Sequence, residues 1–256
     1  RGRAYGPGSF DMKSGLVLNT FVLAAFKKHG GARFPLVGLY TSDEEIASPS
    51  SRPVIEAEAR NARVVFNSEP GRVSGNVVTG RKGAVFFKFE ITGKAAHSGG
   101  RPQDGVSAIE ELARKIQALH ALTDFATGIT VNVGLIMGGS SVNTVAPHAA
   151  AEVDLRFMTL AQRDQAMAAI ARILATTHLA GTATQRREVL PLNQSADSKA
   201  VFELYQGVAK EVGFAVAGEF TGGSADSGFT AHVGAPTLCA TGPTGEHAAF
   251  GVVGAI

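Results

Sequence analysis

The chain has 256 residues, of which 45% are hydrophobic and 18% charged, with 31 glycines; that length and composition describe a globular α/β protein of one large or two smaller domains, and exclude a disordered or fibrous chain. Its 24 basic and 22 acidic residues leave a formal charge of +2 without a long run of one sign, which argues against nucleic acid as a partner. No apolar stretch reaches the roughly 20 residues that span a bilayer, which argues against a membrane protein.

Cys239 is the single cysteine, so no intramolecular disulfide forms. Its Pro-Thr-Leu-Cys-Ala setting predicts a small buried thiol, not a nucleophile. The first residues, Arg1-Gly2-Arg3-Ala4-Tyr5-Gly6, carry no signal-peptide core and leave the compartment open.

Over 12–28, Leu16, Val17, Phe21, Val22, Leu23 and Phe26 recur at helical spacing, and Gly30-Gly31 supplies a stop. Residues 34–40 read as a short buried strand whose end delivers Thr41-Ser42-Asp43-Glu44-Glu45, where open α/β sheets place their ligands. Pro53 opens a helix over 53–60, and a strand over 62–67 again leads to an acid, Glu69. This β-α-β rhythm implies a parallel sheet. Gly71, Gly75 and Gly80 then punctuate a loop, which places a boundary near residue 80.

The next hundred residues read strand (84–91), helix (103–122), strand (130–137), strand (150–157), helix (160–178) and strand (182–189). Two helices on one face of a four-stranded antiparallel sheet account for that order. From Ala196 the pattern returns to a helix, then to 220–231 with its Thr-Gly-Gly-Ser-Ala-Asp loop, then to an apolar strand over 235–240. The expected fold is α/β, with a parallel-rich sheet built from 1–80 and 187–256 and an α+β domain, 81–186, inserted into it.

Adjacent carboxylates at Glu44 and Glu45 diverge in a turning segment, so that one can hold a metal while the other faces its bound water. A solvated loop is the plainer alternative. Asp11, ahead of the first helix, and Glu69 are each open to a capping or turn role. Three acids at successive sheet edges are harder to dismiss together. His247 also follows a predicted strand, and a neutral imidazole would complete an oxygen-and-nitrogen site suited to zinc. In the inserted region, His97 lies in a glycine-flanked loop, and Asn143 and Arg156 lie close to apolar strands; a guanidinium there can grip a carboxylate bidentately or stabilise the fold. The histidines at 29, 120, 148, 178 and 232 lack partners at ligand spacing and read as structural.

In order, Gly-Ser-Phe-Asp11-Met-Lys-Ser-Gly, Thr-Ser-Asp-Glu44-Glu45-Ile-Ala-Ser, Ser-Glu69-Pro-Gly-Arg, Gly-Lys-Ala-Ala-His97-Ser-Gly, Val-Asn143-Thr-Val-Ala-Pro and Val-Asp-Leu-Arg156-Phe resemble the two-zinc peptidase family of acetylornithine deacetylase, succinyl-diaminopimelate desuccinylase, aminoacylase and glutamate carboxypeptidase. Glu-Pro-Gly-Arg followed by Val-Thr-Gly-Arg-Lys-Gly looks most like the glutamate carboxypeptidase branch. The resemblance implies a zinc-peptidase catalytic domain, its sheet flanked by helices on both faces, with an inserted lid that forms a homodimer. It implies two Zn2+ per subunit, with Co2+ or Mn2+ as substitutes: Asp11 bridging, Glu45 and His247 on one ion, Glu69 on the other. Glu44 would be the general base for a metal-activated water, and His97 would stabilise the oxyanion, commonly from the other subunit. Asn143 and Arg156 would bind the substrate carboxylate. The implied reaction removes a C-terminal amino acid, glutamate foremost, from a small peptide or N-acyl substrate.

Two departures qualify the resemblance. The family's upstream His-x-Asp motif has no counterpart in a chain that begins shortly before Asp11, so a catalytic domain truncated at its N-terminus is expected to bind at most one metal well and to be inactive or nearly so. The family's Glu just after the ligand His is Gly251 here. Two alternatives stand beside the peptidase: an N-acyl-amino-acid deacylase of the same family, and a catalytically incomplete fragment or degenerate homologue acting in dimerisation or ligand binding. A nucleotide-binding enzyme fails, because no Gly-x-Gly-x-x-Gly opens a helix after a strand.

Overall fold

The computed structural model describes residues 4–175 and 178–245. In chain order its elements are α1 (Ser14–Lys28), α2 (Arg52–Arg60), β1 (Val65–Phe66), β2 (Val77–Arg81), β3 (Gly83–Thr92), α3 (Ala108–His120), β4 (Thr130–Gly138), β5 (His148–Phe157), α4 (Leu160–Ala175), β6 (Gly181–Val189), α5 (Ala196–Glu211), β7 (Gly218–Thr221), α6 (Ser227–His232) and β8 (Thr237–Leu238). They form two compact units, 1–81 with 192–256, and 82–191. No helix among the described residues is long and apolar enough to cross a membrane.

In the first unit, α1 stops where the glycines predict. Gly30 and Gly31 take φ of 93° and 87°, and the Gly31 amide returns to the Phe26 carbonyl at 2.7 Å. At its start, Gly15 is buried so tightly that a Cβ would come within 2.3 Å of the Ser68 carbonyl oxygen, so only glycine lets the helix meet the loop after β1. Residues 9–13 form an irregular turn, with Asp11 and Met12 outside helical geometry, so the regular helix begins at Ser14 and not at residue 12.

The strand expected over 34–40 is absent. The segment forms no strand among the described residues, and Phe34, Leu36, Val37, Leu39 and Tyr40 are all exposed. An apolar run becomes a strand only when a neighbour accepts its backbone hydrogen bonds. Parallel pairing does occur between β1 and β8, with Val65 opposite Thr237, and between β2 and β7, with Val77 opposite Gly218. Both ladders are short. Pro53 sits in the first turn of α2, whose Ile55 and Ala59 are buried, and Arg52 lies 4.7 Å from the ring centre of Phe229 on α6. Cys239 is buried and free, as its apolar setting predicts.

The second unit is a four-stranded antiparallel sheet, order β4-β5-β3-β6, with α3 and α4 packed against it. Strand β3 explains the core by itself: Val85, Phe87, Phe89 and Ile91 are buried while Phe86, Lys88 and Glu90 on the other face are half-exposed. Leu112 and Leu119 of α3 and Ile170 and Leu174 of α4 close that core. Helix α3 starts at Ala108, later than the expected 103, because Gly105 is extended and Ser107 accepts the Glu110 amide as an N-cap. Lys115, buried beside Glu111 at 2.9 Å, ties α3 to α4 by donating to the Ile173 carbonyl at 3.0 Å.

Candidate active site

Five acids of the first unit sense one another. Glu44 opens a single helical turn, Glu44–Ile46, and its carboxyl is pushed up to about 9, foremost by burial and then by Glu69, Asp226, Glu45 and Asp11. Glu69, at the end of the β1 segment, is raised to about 7; burial dominates, the Arg81 guanidinium opposes it, and Asp11, Asp226 and Glu45 add repulsion. Burial also raises Glu45, with Asp11 adding to it, and raises Asp11 against the pull of Arg81. Asp226 is raised by burial in spite of a hydrogen bond from Ser48. Sequence reasoning noted the Thr-Gly-Gly-Ser-Ala-Asp loop but assigned Asp226 no part.

The neighbouring groups explain how these acids are held. Asp43 accepts the amides of Ser50 at 2.8 Å and Ser51 at 3.1 Å and the Ser51 hydroxyl, and these bonds hold its carboxyl below the usual range. Arg81 is buried at the end of β2, its Nε 3.2 Å from the Cys239 sulfur and a terminal nitrogen donating to the Gly223 carbonyl at 3.1 Å. The Asp11–Met12 peptide bond is cis.

The donor chemistry fits a divalent cation, since neighbouring carboxylates that raise one another's pKa are relieved by positive charge among them. Among the described residues, however, no three His, Cys, Asp or Glu side chains already form a group able to hold a metal ion. The predicted ligand His247 and the position of Gly251 lie outside the described residues.

The second unit brings two of its three predicted residues together. His97 bridges to Thr144, and the Ser98 amide donates to the Asn143 carbonyl at 3.0 Å, so the two loops are adjacent. The amides of Gly99 and Gly100 donate to His97 Nδ1 at 3.2 and 3.0 Å. With Nδ1 accepting, the neutral ring carries its proton on Nε2 and presents a donor. A cleft of about 470 Å³ opens there, lined by Ala95, Ala96, Gly100, Arg101 and Asp104. Arg156 is elsewhere. It pairs across from Ala84 at the start of β3, whereas the His97 loop follows Thr92 at the other end, eight residues or about 26 Å along the strand. Its guanidinium grips Asp154 at 2.7 and 2.9 Å and lies over the Phe86 ring.

Residues 79–182 match the family model of the M20 peptidase dimerisation domain. Along 251 residues, 95% of this chain, the sequence is 27% identical to carboxypeptidase G2 of Pseudomonas sp. (strain RS-16), of which it covers 60%. The chain is similar to M20 peptidases. Acetylornithine deacetylase of Myxococcus xanthus is 33% identical over 155 residues, 56% of this chain and 39% of that protein. The homologues are thus peptidases and amidohydrolases, and the chain spans about 40 to 60% of the length of these two. The fold itself is shared with aminopeptidase PepT of Bacillus cereus, with a TM-score of 0.62 and 23% identity over 78% of this chain and 54% of that one.

Proposed function

We propose that this M20 homologue is a zinc-dependent amide hydrolase that removes a C-terminal amino acid, glutamate first among candidates, from a small peptide or N-acyl substrate. The observation that carries the reading is half-buried Glu44, whose carboxyl is pushed up by burial and by Glu69, Asp226, Glu45 and Asp11. Its neighbours raise its affinity for a proton, and positive charge placed among them would bring it back toward the working pH, where a general base acts. Asp11, Glu45, Glu69 and His247 would hold the metal. When bound, a divalent ion supplies the positive charge that polarises the scissile carbonyl and lowers the pKa of water.

The remaining steps belong to the chain's own side chains. Glu44 takes the proton of the attacking water and returns it to the leaving amine. His97, fixed with its proton on Nε2 by two glycine amides, donates to the oxyanion that forms. Asn143, on the adjoining loop, and Arg156 bind the substrate carboxylate. Because His97 and Arg156 of one chain lie at opposite ends of β3, a single-amino-acid conjugate cannot reach both. A homodimer formed through the dimerisation domain resolves this, with His97 and Asn143 supplied by the partner copy.

The similarity to acetylornithine deacetylase supports a second reading, an N-acyl-amino-acid deacylase with the same machinery. Hydrolysis rates on N-acyl-glutamate and N-acetyl-ornithine, measured with the intact protein and added zinc, separate the two. Full amidase activity in Glu44→Gln would overturn both.

A further inference from the structure

The turn that carries Glu44 is held in an uncommon shape. Ala47 and Ser48 follow it at φ 68° and 51°, a left-handed region that side-chain-bearing residues occupy only when their surroundings hold them there. Backbone bonds account for part of the restraint: the Ala47 amide donates to the Glu44 carbonyl and the Ser48 amide to the Asp43 carbonyl, each at 2.8 Å. A side-chain bond supplies the rest. Ser48 Oγ donates to Asp226 Oδ1 at 2.6 Å, with Ser48 wholly buried and Asp226 nearly so.

Asp226 is well placed to serve as the fixed end. It immediately precedes α6, which is stacked through Phe229 under Arg52 of α2, and its loop is tethered by the Arg81 bond to Gly223. The other end is a loop with no ladder of its own. A carboxylate acceptor makes this bond shorter and stronger than a neutral one would.

We propose that the Ser48–Asp226 bond is a latch that sets the position of the Glu44 carboxylate, which makes Ser48 and Asp226 positioning residues. The inference rests on Glu44 acting as the base. A displaced base lowers turnover far more than it lowers substrate affinity, since misplacement by about 1 Å can cost about 100-fold in rate.

The test compares Ser48→Ala, Asp226→Ala, Asp226→Asn and the Ser48→Ala/Asp226→Ala double variant in the intact, zinc-loaded protein. The readouts are kcat and KM for N-acyl-glutamate and backbone hydrogen exchange at residues 43–48. Each single alanine variant is expected to lower kcat about 100-fold with KM within about twofold, and to speed exchange at the 47 and 48 amides. The double variant should be no worse than either single one. Asp226→Asn, whose amide oxygen still accepts the serine hydroxyl, should keep kcat within about tenfold of the parent. The latch is overturned if Ser48→Ala leaves kcat and exchange unchanged, or if Asp226→Asn falls as far as Asp226→Ala. Should Asp226→Ala fail to fold, Ser48→Ala carries both readouts alone. Because exchange reads the turn without reference to catalysis, lost protection in Ser48→Ala alongside full activity in Glu44→Gln would sink the base assignment and leave the latch standing.

Discussion

Strand β3 is paired on both sides over most of its length, whereas the ladders of the first unit hold two and four residue pairs. The difference extends to what each unit buries. In the sheet of 82–191 the buried face is almost wholly apolar, with Glu111 and Lys115 the charged exceptions. The first unit instead holds half-buried and buried carboxyls against their own repulsion, with Glu44 and Glu69 raised to about 9 and about 7. Consistent local patterning is what specifies a stable domain, and a site that violates it does so at the expense of stability. The contrast therefore separates a unit with an apolar core from one that holds acids against their own repulsion.

The sharpest break in that comparison comes from Glu44. Glu44→Gln should lower kcat by about 10⁴-fold, the upper end for a general base, while leaving the thermal midpoint unchanged or higher, because the amide carries no charge for the neighbouring acids to repel at any pH. Steady-state kinetics with calorimetry on the same sample reads both numbers, and a midpoint that drops steeply would mean that the acid cluster is structural. Phe89→Ala makes the opposite cut. Phe89 is 0% exposed at the centre of the sheet, so its truncation should cost about 4 kcal/mol of stability in denaturant unfolding. It should leave the raised carboxyls untouched.

The next effect is smaller and depends on pH. In the metal-free protein Glu44 and Glu69 titrate near 9 and 7, against 4.5 when unfolded. Between those values the folded chain keeps protons that the unfolded chain has released, so stability falls as pH rises. The contribution is complete below about 4.5 and is lost through 7 to 9. Raising the pH from about 5 to about 8 in the presence of a chelator should lower the midpoint in a thermal scan. Added zinc should flatten the dependence, and a midpoint that rises with pH would contradict the clustering.

These contrasts were unequally legible in the sequence. Alternation in β3 and the apolar faces of α3 and α4 revealed the second unit, because a sheet with one buried face writes its period directly into the residues. The start of α3 was missed because Gly105 and the Ser107 cap interrupt a continuous apolar pattern. For 34–40 the composition was right for a strand, but composition does not report whether a neighbouring strand is there to pair with it. Asp226 was overlooked for a different reason: Ser48, its partner, is 178 residues away, beyond any local signal. The separation of Arg156 from His97 could have been found, since antiparallel pairing of the two predicted strands already sets Arg156 against the start of the first.

The smallest expected effect tests the surface of the first unit. Helix α1 leaves Val17, Phe21, Val22 and Phe26 exposed, Phe21 most of all at 71%. Truncating a side chain that already faces water removes little buried area, so Phe21→Ala should change stability by no more than about 0.5 kcal/mol. In the core of the second unit the same chemical change removes the packing of a whole ring, as at Phe89. The ratio of the two, measured by denaturant unfolding under one set of conditions, gauges how much of the apolar face of α1 meets water in the intact protein. A Phe21→Ala cost above about 2 kcal/mol would show that this face is covered in solution, because lost burial is what raises a phenylalanine truncation to that size.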